Sequence, residues 1–515
     1  MPDVTDNMLA LNTRQPPSRL RSRRAARFAI LAAGLFAAAT PLGAQWTNVA
    51  PGIAWREFTL PGPVRVFVAR ADRKERSWTM DSMTSLGEVR GGRETVPDMA
   101  MRYHDALLPD GRRLGVKVAI NGDYFDLKTG VAMSGQILSG WFAKRYGEQT
   151  GTSGFVWTRD RRCALGGNVQ NGPQFQTVTF SDGARMKIQH LNEPRTNDAL
   201  ALYTWHYAAT TGTANDGAEV LVHMDAPLGV STPPGVKGRV VRVRPNAGNT
   251  SLPFRHVVLS AHGNAAAELL RHVRPGESLR IALDLKDSGN DEIGLPAADW
   301  RNVWASVGTP RNILINGRVP RDWEEKAARL AAEGKKHGSI IKDPRSGVAF
   351  NERYVFFLVI DGRTPASLGM TFTEAAFFCK DHLQATHAAL LDGGGSSTLW
   401  VDGRVRNTPS GKGTDEKPGV LRPVANGLCI ATVLPAQKSA AFQPGQRVRL
   451  KPGGVLRLGP GTNFAAAPAP APDAPGHIIA DPLNGHRAKG AFWWACRFGE
   501  SDTWVAETDL IPVRD

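Results

Sequence analysis

The sequence predicts an α+β fold: a large mixed sheet flanked by helices, an inserted β-rich subdomain, and a small all-β barrel at the C-terminal end. Short β-rich runs dominate the chain, segments with helical spacing are few, and the pattern changes twice along it. The chain has 515 residues, of which 42% are hydrophobic. It is therefore long enough to bury a large core and to form two or three domains.

The N-terminal segment predicts export. Five arginines between positions 19 and 27 precede an apolar run at 28–39, and Pro41 follows before the small-residue sequence Leu42-Gly43-Ala44. This run is too short to span a membrane, since a spanning helix needs about 20 residues. We therefore predict a cleaved signal peptide over residues 1–44, a periplasmic or secreted mature protein, and no membrane span after cleavage.

The charge balance favours anionic partners. Lys and Arg total 63 against 48 Asp and Glu, which gives a net charge of +15. The positive residues are scattered, and the sequence lacks zinc-finger and helix-turn-helix spacings, so we predict no nucleic-acid partner. A polyanionic cell-wall polymer or a phosphodiester substrate fits this charge better.

The four cysteines, Cys163, Cys379, Cys429 and Cys496, are too few and too dispersed for a disulfide scaffold. Buried thiols are the first expectation, and one disulfide stays open for an exported protein. The Cys-x-x-Cys and His-Glu-x-x-His patterns are missing, which argues against a structural zinc site or a zinc protease.

The main domain is predicted over residues 45–436. Its strands are expected at 64–69, 116–120, 354–360, 388–391 and 398–401. A helix is predicted to begin near Thr371, where Thr371 and Glu374 form a capping box ahead of apolar residues at helical spacing. A second helix is predicted within 321–334, which is rich in Glu, Lys, Ala and Leu.

The inserted β-rich subdomain is predicted at about 163–288, where strands such as 220–224 and 240–243 are joined by Pro- and Gly-rich turns. One of its strands ends at His262. We interpret this histidine as structural rather than catalytic.

Residues 440–515 resemble a bacterial SH3-like domain, through the runs 446–450 and 455–461 and the residues Trp493, Trp494 and Trp504. We interpret the Ala-Pro run at 465–475 as an enlarged loop of this module rather than a linker. Adjacent residues on a strand face opposite sides, so we expect one of Trp493 and Trp494 in the core and the other available to a ligand. The resemblance implies contact with the cell wall.

Three apolar strands end in the dipeptides Asn121-Gly122, Asp361-Gly362 and Asp392-Gly393. Rigid scaffolds present functional groups at strand ends, so we predict that these three ends meet at one edge of a sheet. The alternative is hairpin chemistry, because such dipeptides also form two-residue turns. Asn316-Gly317 and Asp402-Gly403 are interpreted as turns of that kind.

Asp392 is followed by Gly393, Gly394 and Gly395 and then by Ser396 and Ser397. Such a loop exposes backbone N–H groups and hydroxyls, which suits an anionic oxygen. It is not a Walker loop, because the Gly-Lys-Ser/Thr ending is missing. Nor does Ser396 lie in a Gly-x-Ser-x-Gly elbow, which argues against a serine hydrolase.

These residues resemble the phosphodiester glycosidase family. The similarity is carried by 391–401 (LDGGGSSTLWV), 422–427 (RPVANG), 119–125 (AINGDYF), 344–349 (PRSGVA), and 361–363 ahead of 367–371. The chain departs from the family pattern at Asp123, where glycine is usual, and at Ser346-Gly347, where Thr-Ala is usual. The resemblance implies hydrolysis of a sugar-1-phosphodiester, with a glycan or cell-envelope polymer as the substrate.

We predict Asp392, Asp361 and Arg345 as catalytic residues. Either carboxylate would activate water or stabilise an oxocarbenium-like centre, and an arginine fork would bind the phosphate. Because the departing phosphate monoester is a good leaving group, one carboxylate suffices where ordinary glycosidases use two. The predicted substrate-binding residues are Asn121, Tyr124, Arg363, Gly393, Gly394, Gly395, Ser396, Ser397, Arg422 and Asn426.

Two alternatives stay open at this point. The same carboxylates suit Ca²⁺ or Mg²⁺, although the sequence shows no ligand spacing that decides between a metal site and none. The chain could also be a catalytically inactive glycan-binding or envelope-associated protein that keeps the fold.

Overall fold

Two antiparallel sheets stacked on a shared apolar core form the centre of the protein. The structure is a computed structural model that describes residues 45–147, 153–320, 322–334, 340–411, 419–471 and 473–513. Residues 44–515 form one compact unit. The predicted signal peptide lies outside the described residues.

Sheet A has seven strands, and each pairs antiparallel with its neighbours. In spatial order they are Thr47–Ala50, Ile53–Leu60, Val64–Asp72, Tyr354–Ile360, Arg345–Phe350, His387–Leu390 and Arg311–Leu314. The prediction of a mixed sheet is therefore wrong for sheet A. The physical reason is that short turns join several of its neighbouring strands, and a short turn can only connect antiparallel strands.

Two five-stranded antiparallel sheets accompany sheet A. Sheet B contains, in spatial order, Arg404–Val405, Leu399–Val401, Arg113–Asn121, Asn426–Leu434 and Trp78–Thr84. Sheet C contains Trp141–Lys144, Gln136–Leu138, Val303–Gly308, Gly154–Thr158 and Cys163–Leu165. The strands predicted from the sequence at 64–69, 116–120, 354–360, 388–391 and 398–401 are confirmed within one to three residues at their ends.

Alternating apolar residues explain how the layers form. In the strand Tyr354–Ile360, Val355, Phe357 and Val359 enter the core that sheets A and B share. Phe356, Leu358 and Ile360 face the opposite side, against the helix Phe372–Asp381. This alternation is the two-residue period of a strand that is buried on both faces.

Four α-helices are present in the described residues: Val96–Tyr103, Gly263–Arg271, Asp322–Ala332 and Phe372–Asp381. Phe372–Asp381 begins with the predicted capping box of Thr371 and Glu374. The helix predicted within 321–334 is also confirmed. Val96–Tyr103 packs on the outer face of sheet B. Short 3₁₀ turns occur at Ser85–Gly87, Pro173–Phe175, Asp291–Ile293, Gly394–Ser396 and Glu507–Asp509.

Sheet D has eight strands and lies within the range predicted for the inserted subdomain. In spatial order they are Arg185–Lys187, Gln176–Thr179, Ser278–Leu283, Val236–Arg244, Gly217–Met224, His256–His262, Leu200–Thr204 and His190–Leu191. The last two strands run parallel. A two-stranded ribbon of Val169–Gln170 and Lys286–Asp287 accompanies the sheet. Sheet D shares a core with sheet C, which joins it to the rest of the protein.

Sheet E forms the C-terminal part of the chain. It contains His486–Ala488, Ala491–Phe498, Gly476–Ile478, Arg447–Leu450 and Leu510–Pro512 in spatial order, and Ser501–Ala506 pairs with Ala491–Phe498. The described residues of the Ala-Pro run lie between two of these strands, outside regular secondary structure. The SH3-like assignment stays a prediction.

Both tryptophans of the 493–494 pair are buried, each 2% exposed. Trp494 packs inside sheet E with Val448. Trp493 faces the other way and packs on Leu483, in a cluster that also contacts Phe254. The expectation that one of the pair would be available to a ligand is wrong, because residues remote in sequence cover the second face of the strand.

A lysine ties sheet E to the main body. Lys489 Nζ donates to the carbonyl oxygens of Met101 (2.9 Å), Arg102 (3.3 Å) and His104 (2.8 Å). These carbonyls belong to the C-terminal end of the helix Val96–Tyr103, where a cation is favourable.

The four cysteines all lie in described residues and are free thiols. None of the helices in the described part of the chain is long and apolar enough to cross a membrane.

Candidate active site

The ends of strands from sheets A and B meet at one place. Asn121 ends a strand of sheet B, and Asp392 follows the sheet A strand His387–Leu390 by two residues. The Asn121 side-chain amide donates to the Asp392 carbonyl oxygen at 2.6 Å, and the Asp392 N–H donates to the Gly122 carbonyl at 2.8 Å. Two of the three predicted strand ends are therefore in direct contact.

The third strand end reaches the glycine loop through an asparagine. Asn407 Nδ2 donates to Asp361 Oδ1 at 3.2 Å and to the Ser397 carbonyl at 3.0 Å. The Thr408 N–H donates to both Asp361 carboxylate oxygens at 3.0 Å, and Arg65 Nη1 lies 3.9 Å from Oδ2. Asp361 is only 2% exposed. These contacts indicate a residue that positions the loops, so we revise its predicted catalytic role.

The Asn121 amide is the junction between the two sheets. Its Oδ1 accepts from Ser346 Oγ at 2.8 Å and from the Thr398 N–H at 3.2 Å, in addition to the bond from Nδ2 to Asp392. The side chain is fully buried. Asn121 therefore positions the site and is not the substrate contact that the sequence predicted.

Asn426 is also a positioning residue. It is 1% exposed, and its Oδ1 accepts from the Asp123 N–H at 2.9 Å. Ser397, another predicted substrate contact, is 1% exposed and its hydroxyl lacks a hydrogen-bond partner in the structure. Both side chains are therefore enclosed by the protein, and the substrate contacts predicted for them stay predictions.

Most N–H groups of the glycine loop are already used. Those of Gly394, Ser396 and Ser397 donate to the carbonyls of Pro344, Gly393 and Gly394 at 2.9–3.2 Å. The Gly393 N–H bonds to the Asp392 carboxylate. The predicted anion nest of free N–H groups is therefore not the arrangement observed.

The glycines instead let two arginines approach the loop. A Cβ atom at position 395 would lie 2.5 Å from Arg422 Nη2, and one at position 394 would lie 3.0 Å from Arg363 Nη2. Only residues without a side chain leave room for guanidinium groups at these distances. Two guanidinium groups thus lie against the loop, and the charge of one of them, Arg422, acts on Asp392.

Asp392 is a buried carboxylate, 9% exposed. It accepts a hydrogen bond from the Ser396 hydroxyl, which also lies 3.4 Å from Arg422 Nη1. The pKa of Asp392 is raised to about 7, mainly by burial. The bond from Ser396 and the charge of Arg422 oppose this rise, and the charge of Asp123 adds to it. A carboxyl with a pKa near neutrality, beside a cation in a loop, is typical of a functional group.

Tyr124 belongs to the same cluster and is 41% exposed. Partial burial and the charge of Asp392 raise the pKa of Tyr124, while the charges of Arg345 and Arg311 lower it. Its hydroxyl therefore lies within electrostatic range of two carboxylates, those of Asp392 and Asp123, and of two guanidinium groups. Arg311 was not predicted, because a single arginine at the start of a strand carries no sequence signal.

Arg345 and Arg363 are held by neighbouring groups. Arg345 Nε donates to the Met370 carbonyl at 2.9 Å and Nη2 to the Ile341 carbonyl at 2.7 Å, and the guanidinium lies 4.5 Å from the centre of the Phe372 ring. Arg363 Nε and Nη2 donate to the two carboxylate oxygens of Asp343 at 2.7 and 3.1 Å. Both side chains are thus ordered beside the glycine loop.

Asp123 is a buried acid that was predicted only as a departure from a family pattern. Its carboxylate accepts from the N–H groups of Tyr124 (2.8 Å) and Ser134 (2.6 Å), and burial raises the pKa of Asp123 to about 6. Both of its oxygens already accept backbone hydrogen bonds. Asp123 therefore acts on the site through its charge and by shaping the loop.

In the described residues, no three His, Cys, Asp or Glu side chains gather as a metal site. The carboxylate of Asp361 bonds to Thr408 and Asn407.

Residues 232–431 match the family model described as Phosphodiester glycosidase. This range contains Arg345, Asp361, Asp392 and Arg422, whereas Asn121, Asp123 and Tyr124 lie outside it. The match therefore covers the glycine loop and the arginines around it. No curated protein is significantly similar to the chain.

Several solved structures are similar to this chain at low identity. A hypothetical protein from Synechocystis has 16% identity and a TM-score of 0.48 over 75% of this chain, which spans 63% of the length of that protein. A protein from Burkholderia pseudomallei K96243 has 19% identity and a TM-score of 0.45 over 72% of this chain and 74% of that one. The catalytic domain of zebrafish N-acetylglucosamine-1-phosphodiester alpha-N-acetylglucosaminidase, auto-inhibited by its pro-peptide, has 15% identity and a TM-score of 0.36 over 75% of this chain and 86% of that one.

We predict that Asn121→Ala lowers the free energy of unfolding by about 2–4 kcal/mol, because it leaves Ser346 and the Thr398 N–H without their buried acceptor. Urea unfolding measures this change. The matched control is Asn312→Ala: Asn312 is 1% exposed, but it makes a single 3.3 Å bond to the Gly166 carbonyl. We expect that variant to lose only about 1 kcal/mol. Equal losses in the two variants would contradict the positioning role of Asn121.

Proposed function

We propose that the chain is an exported hydrolase that cleaves the glycosidic bond of a sugar-1-phosphodiester. The observation that carries this proposal is the buried Asp392 carboxylate, which bonds to Ser396 and lies beside the Arg422 guanidinium. The match of residues 232–431 to the Phosphodiester glycosidase family supports it, because the same loop falls in the matched range.

The charges around Asp392 suit such a substrate. A sugar-1-phosphodiester carries one negative charge next to the anomeric carbon, so binding it requires cations close to the reacting carboxylate. Guanidinium groups bind phosphate oxygens with two parallel hydrogen bonds, which makes arginine the preferred residue for this purpose. Arg422 and Arg363 approach the glycine loop closely, and Arg345 and Arg311 act on Tyr124.

The proposed step is a hydrolysis at the anomeric carbon. Water supplies an oxygen that forms a new bond to this carbon, while the bond from the carbon to the phosphate oxygen breaks and its electron pair leaves with the phosphate. The products are the free sugar and a phosphate monoester. Ionised Asp392 accepts the proton of the attacking water or stabilises the positive charge that develops on the sugar ring.

The phosphate leaving group explains how one carboxylate can serve. A phosphate monoester departs without strong protonation, so the second carboxylic acid of an ordinary glycosidase is less necessary. The other acids near Asp392 agree with this proposal, since Asp361 and Asp123 both accept backbone hydrogen bonds.

The cellular setting is part of the proposal. Export depends on the segment 1–44, and contact with the cell wall depends on the resemblance of residues 440–515 to SH3-like domains. Because Trp493 and Trp494 are buried, such contact would use other residues of that module. The alternative of an inactive glycan-binding protein is less favoured, since binding alone does not require a buried carboxylate beside an arginine.

We predict that Asp392→Asn lowers turnover roughly 10²–10⁴-fold, because it removes the reacting carboxylate. Sugar release from methyl diesters of N-acetylglucosamine-, glucose- and mannose-1-phosphate measures this. The Tm should change by less than about 3 °C, because the loss of the buried charge offsets the loss of its hydrogen bonds.

The matched control is Asp402→Asn, in an Asp-Gly pair that forms a hairpin turn and has positive φ angles at both residues. That variant should keep its turnover. Absence of sugar release by the unaltered protein from every diester would contradict the proposal.

We also predict that kcat/KM rises with pH through an apparent pKa near 7. Burial keeps Asp392 protonated up to about that pH, and only the carboxylate can accept a proton or stabilise a cation. Asp123→Asn removes a neighbouring negative charge that raises the pKa of Asp392, so it should move the rising limb to lower pH. Activity that falls over the same pH range would show that Asp392 acts as an acid.

A further inference from the structure

Several exposed apolar side chains belong to the segments that supply the residues of the candidate site. Eleven large apolar side chains in the described residues are strongly exposed, and seven of these belong to segments that contain or adjoin, in sequence, residues of the candidate site. The seven are Tyr124, Leu127, Met133, Ile340, Ile341, Leu368 and Val420. The other four, Leu86, Met101, Phe377 and Val455, lie elsewhere in the sequence. Single exposed apolar residues are normal on a protein surface, but a cluster beside a site indicates binding.

The hairpin 124–133 presents three of these residues and is held by its own hydrogen bonds. The Met133 N–H donates to the Tyr124 carbonyl at 2.7 Å, and Phe125 pairs with Ala132. Asp126 accepts from the Thr129 N–H at 2.6 Å, which closes the turn. These bonds give the loop a defined shape. Leu127 and Met133 are 60% and 61% exposed on it.

The other members of the cluster are each close to a residue of the site. The Ile341 carbonyl accepts from Arg345. Leu368 follows Ser367, whose hydroxyl donates to the Asp361 carbonyl at 2.7 Å. Val420 lies two residues before Arg422. The segments that carry these apolar side chains thus also carry or hold residues of the site, which favours the substrate itself as the molecule that covers them.

We infer that the phosphate of the substrate carries an apolar arm, so that the substrate class is a sugar-1-phosphodiester of a long-chain alcohol. This inference rests on the proposed function. The arginines would bind the phosphate, and the seven apolar side chains would remove part of the alkyl chain from water. Cleavage at the anomeric carbon then releases the free sugar and an alkyl phosphate monoester.

The test compares two substrates that share the sugar released fastest from the methyl diesters, one with a methyl arm and one with a decyl arm. The decyl diester is kept monomeric, below its critical micelle concentration. Burial of one methylene changes binding by about fourfold, so partial burial of the chain should raise kcat/KM at least about tenfold for the decyl arm. We expect this gain mainly as a lower KM.

The variant Leu127→Ser/Met133→Ser should lower the preference for the decyl arm at least about fivefold. Phe377→Ser is the matched control, because Phe377 is 44% exposed on the helix Phe372–Asp381 and lies outside the cluster. The control should leave the kinetics of both substrates unchanged. If the two variants lost the preference for the decyl substrate to the same extent, the hairpin 124–133 would not be the part that binds the alkyl chain.

Other outcomes separate this inference from the proposed function. Equal kcat/KM for the methyl and decyl arms would overturn the apolar arm and leave the glycosidase activity standing. A decyl preference that appears only when the substrate is embedded in phosphatidylcholine vesicles would assign the cluster to a bilayer surface and overturn the inference. If no sugar is released, calorimetry with methyl phosphate and decyl phosphate decides, and equal affinities would reject the arm.

Discussion

The hydrogen bonds of the Asn121 amide hold two sheets together at the place where the site forms. One side chain joins the end of a sheet B strand to Ser346 of sheet A, to Thr398 and to the carbonyl of Asp392. These partners come from segments more than 200 residues away in sequence. The buried amide therefore helps to fix the position of the glycine loop, together with the backbone bonds of Asp392 and Gly394 and the bond from Asn407. The reacting carboxylate and the approach of the arginines depend on that position.

A buried carboxyl group marks the candidate site only when the residues around it are considered as well. Asp392 and Asp81 both have a pKa raised to about 7 by burial. Asp81 is fully buried and bonds to Ser139 and Ser82, which suits a structural acid. Asp392 lies instead on the glycine loop, where its charge interacts with that of Arg422 and acts on the partly exposed Tyr124. A carboxyl whose pKa is raised on folding holds more protons when folded, so each of these acids lowers the free energy of unfolding as the pH rises from about 4 to 7.

Local patterns in the sequence predicted the elements, and long-range packing decided the roles. The alternation in 354–360 and the capping box at Thr371 predicted a strand and a helix correctly, because each depends on neighbours within a few residues. The strand ends at Asn121 and Asp392 meet as predicted, although they belong to two sheets and not to one edge of a single sheet. The function of Asp361 was not predictable, since its partners Asn407 and Thr408 come from a distant loop. Trp493 is likewise buried in a cluster against which Phe254 packs, 239 positions earlier in the sequence.

Hydrolysis in ¹⁸O-labelled water shows which bond is cleaved, and we expect it to be the bond between the anomeric carbon and the phosphate oxygen. Mass spectrometry of both products then shows where the solvent oxygen goes. If Asp392 directs water to the anomeric carbon, the label appears in the free sugar and the phosphate monoester stays unlabelled. Label in the phosphate monoester would show attack at phosphorus, and it would contradict cleavage of the glycosidic bond.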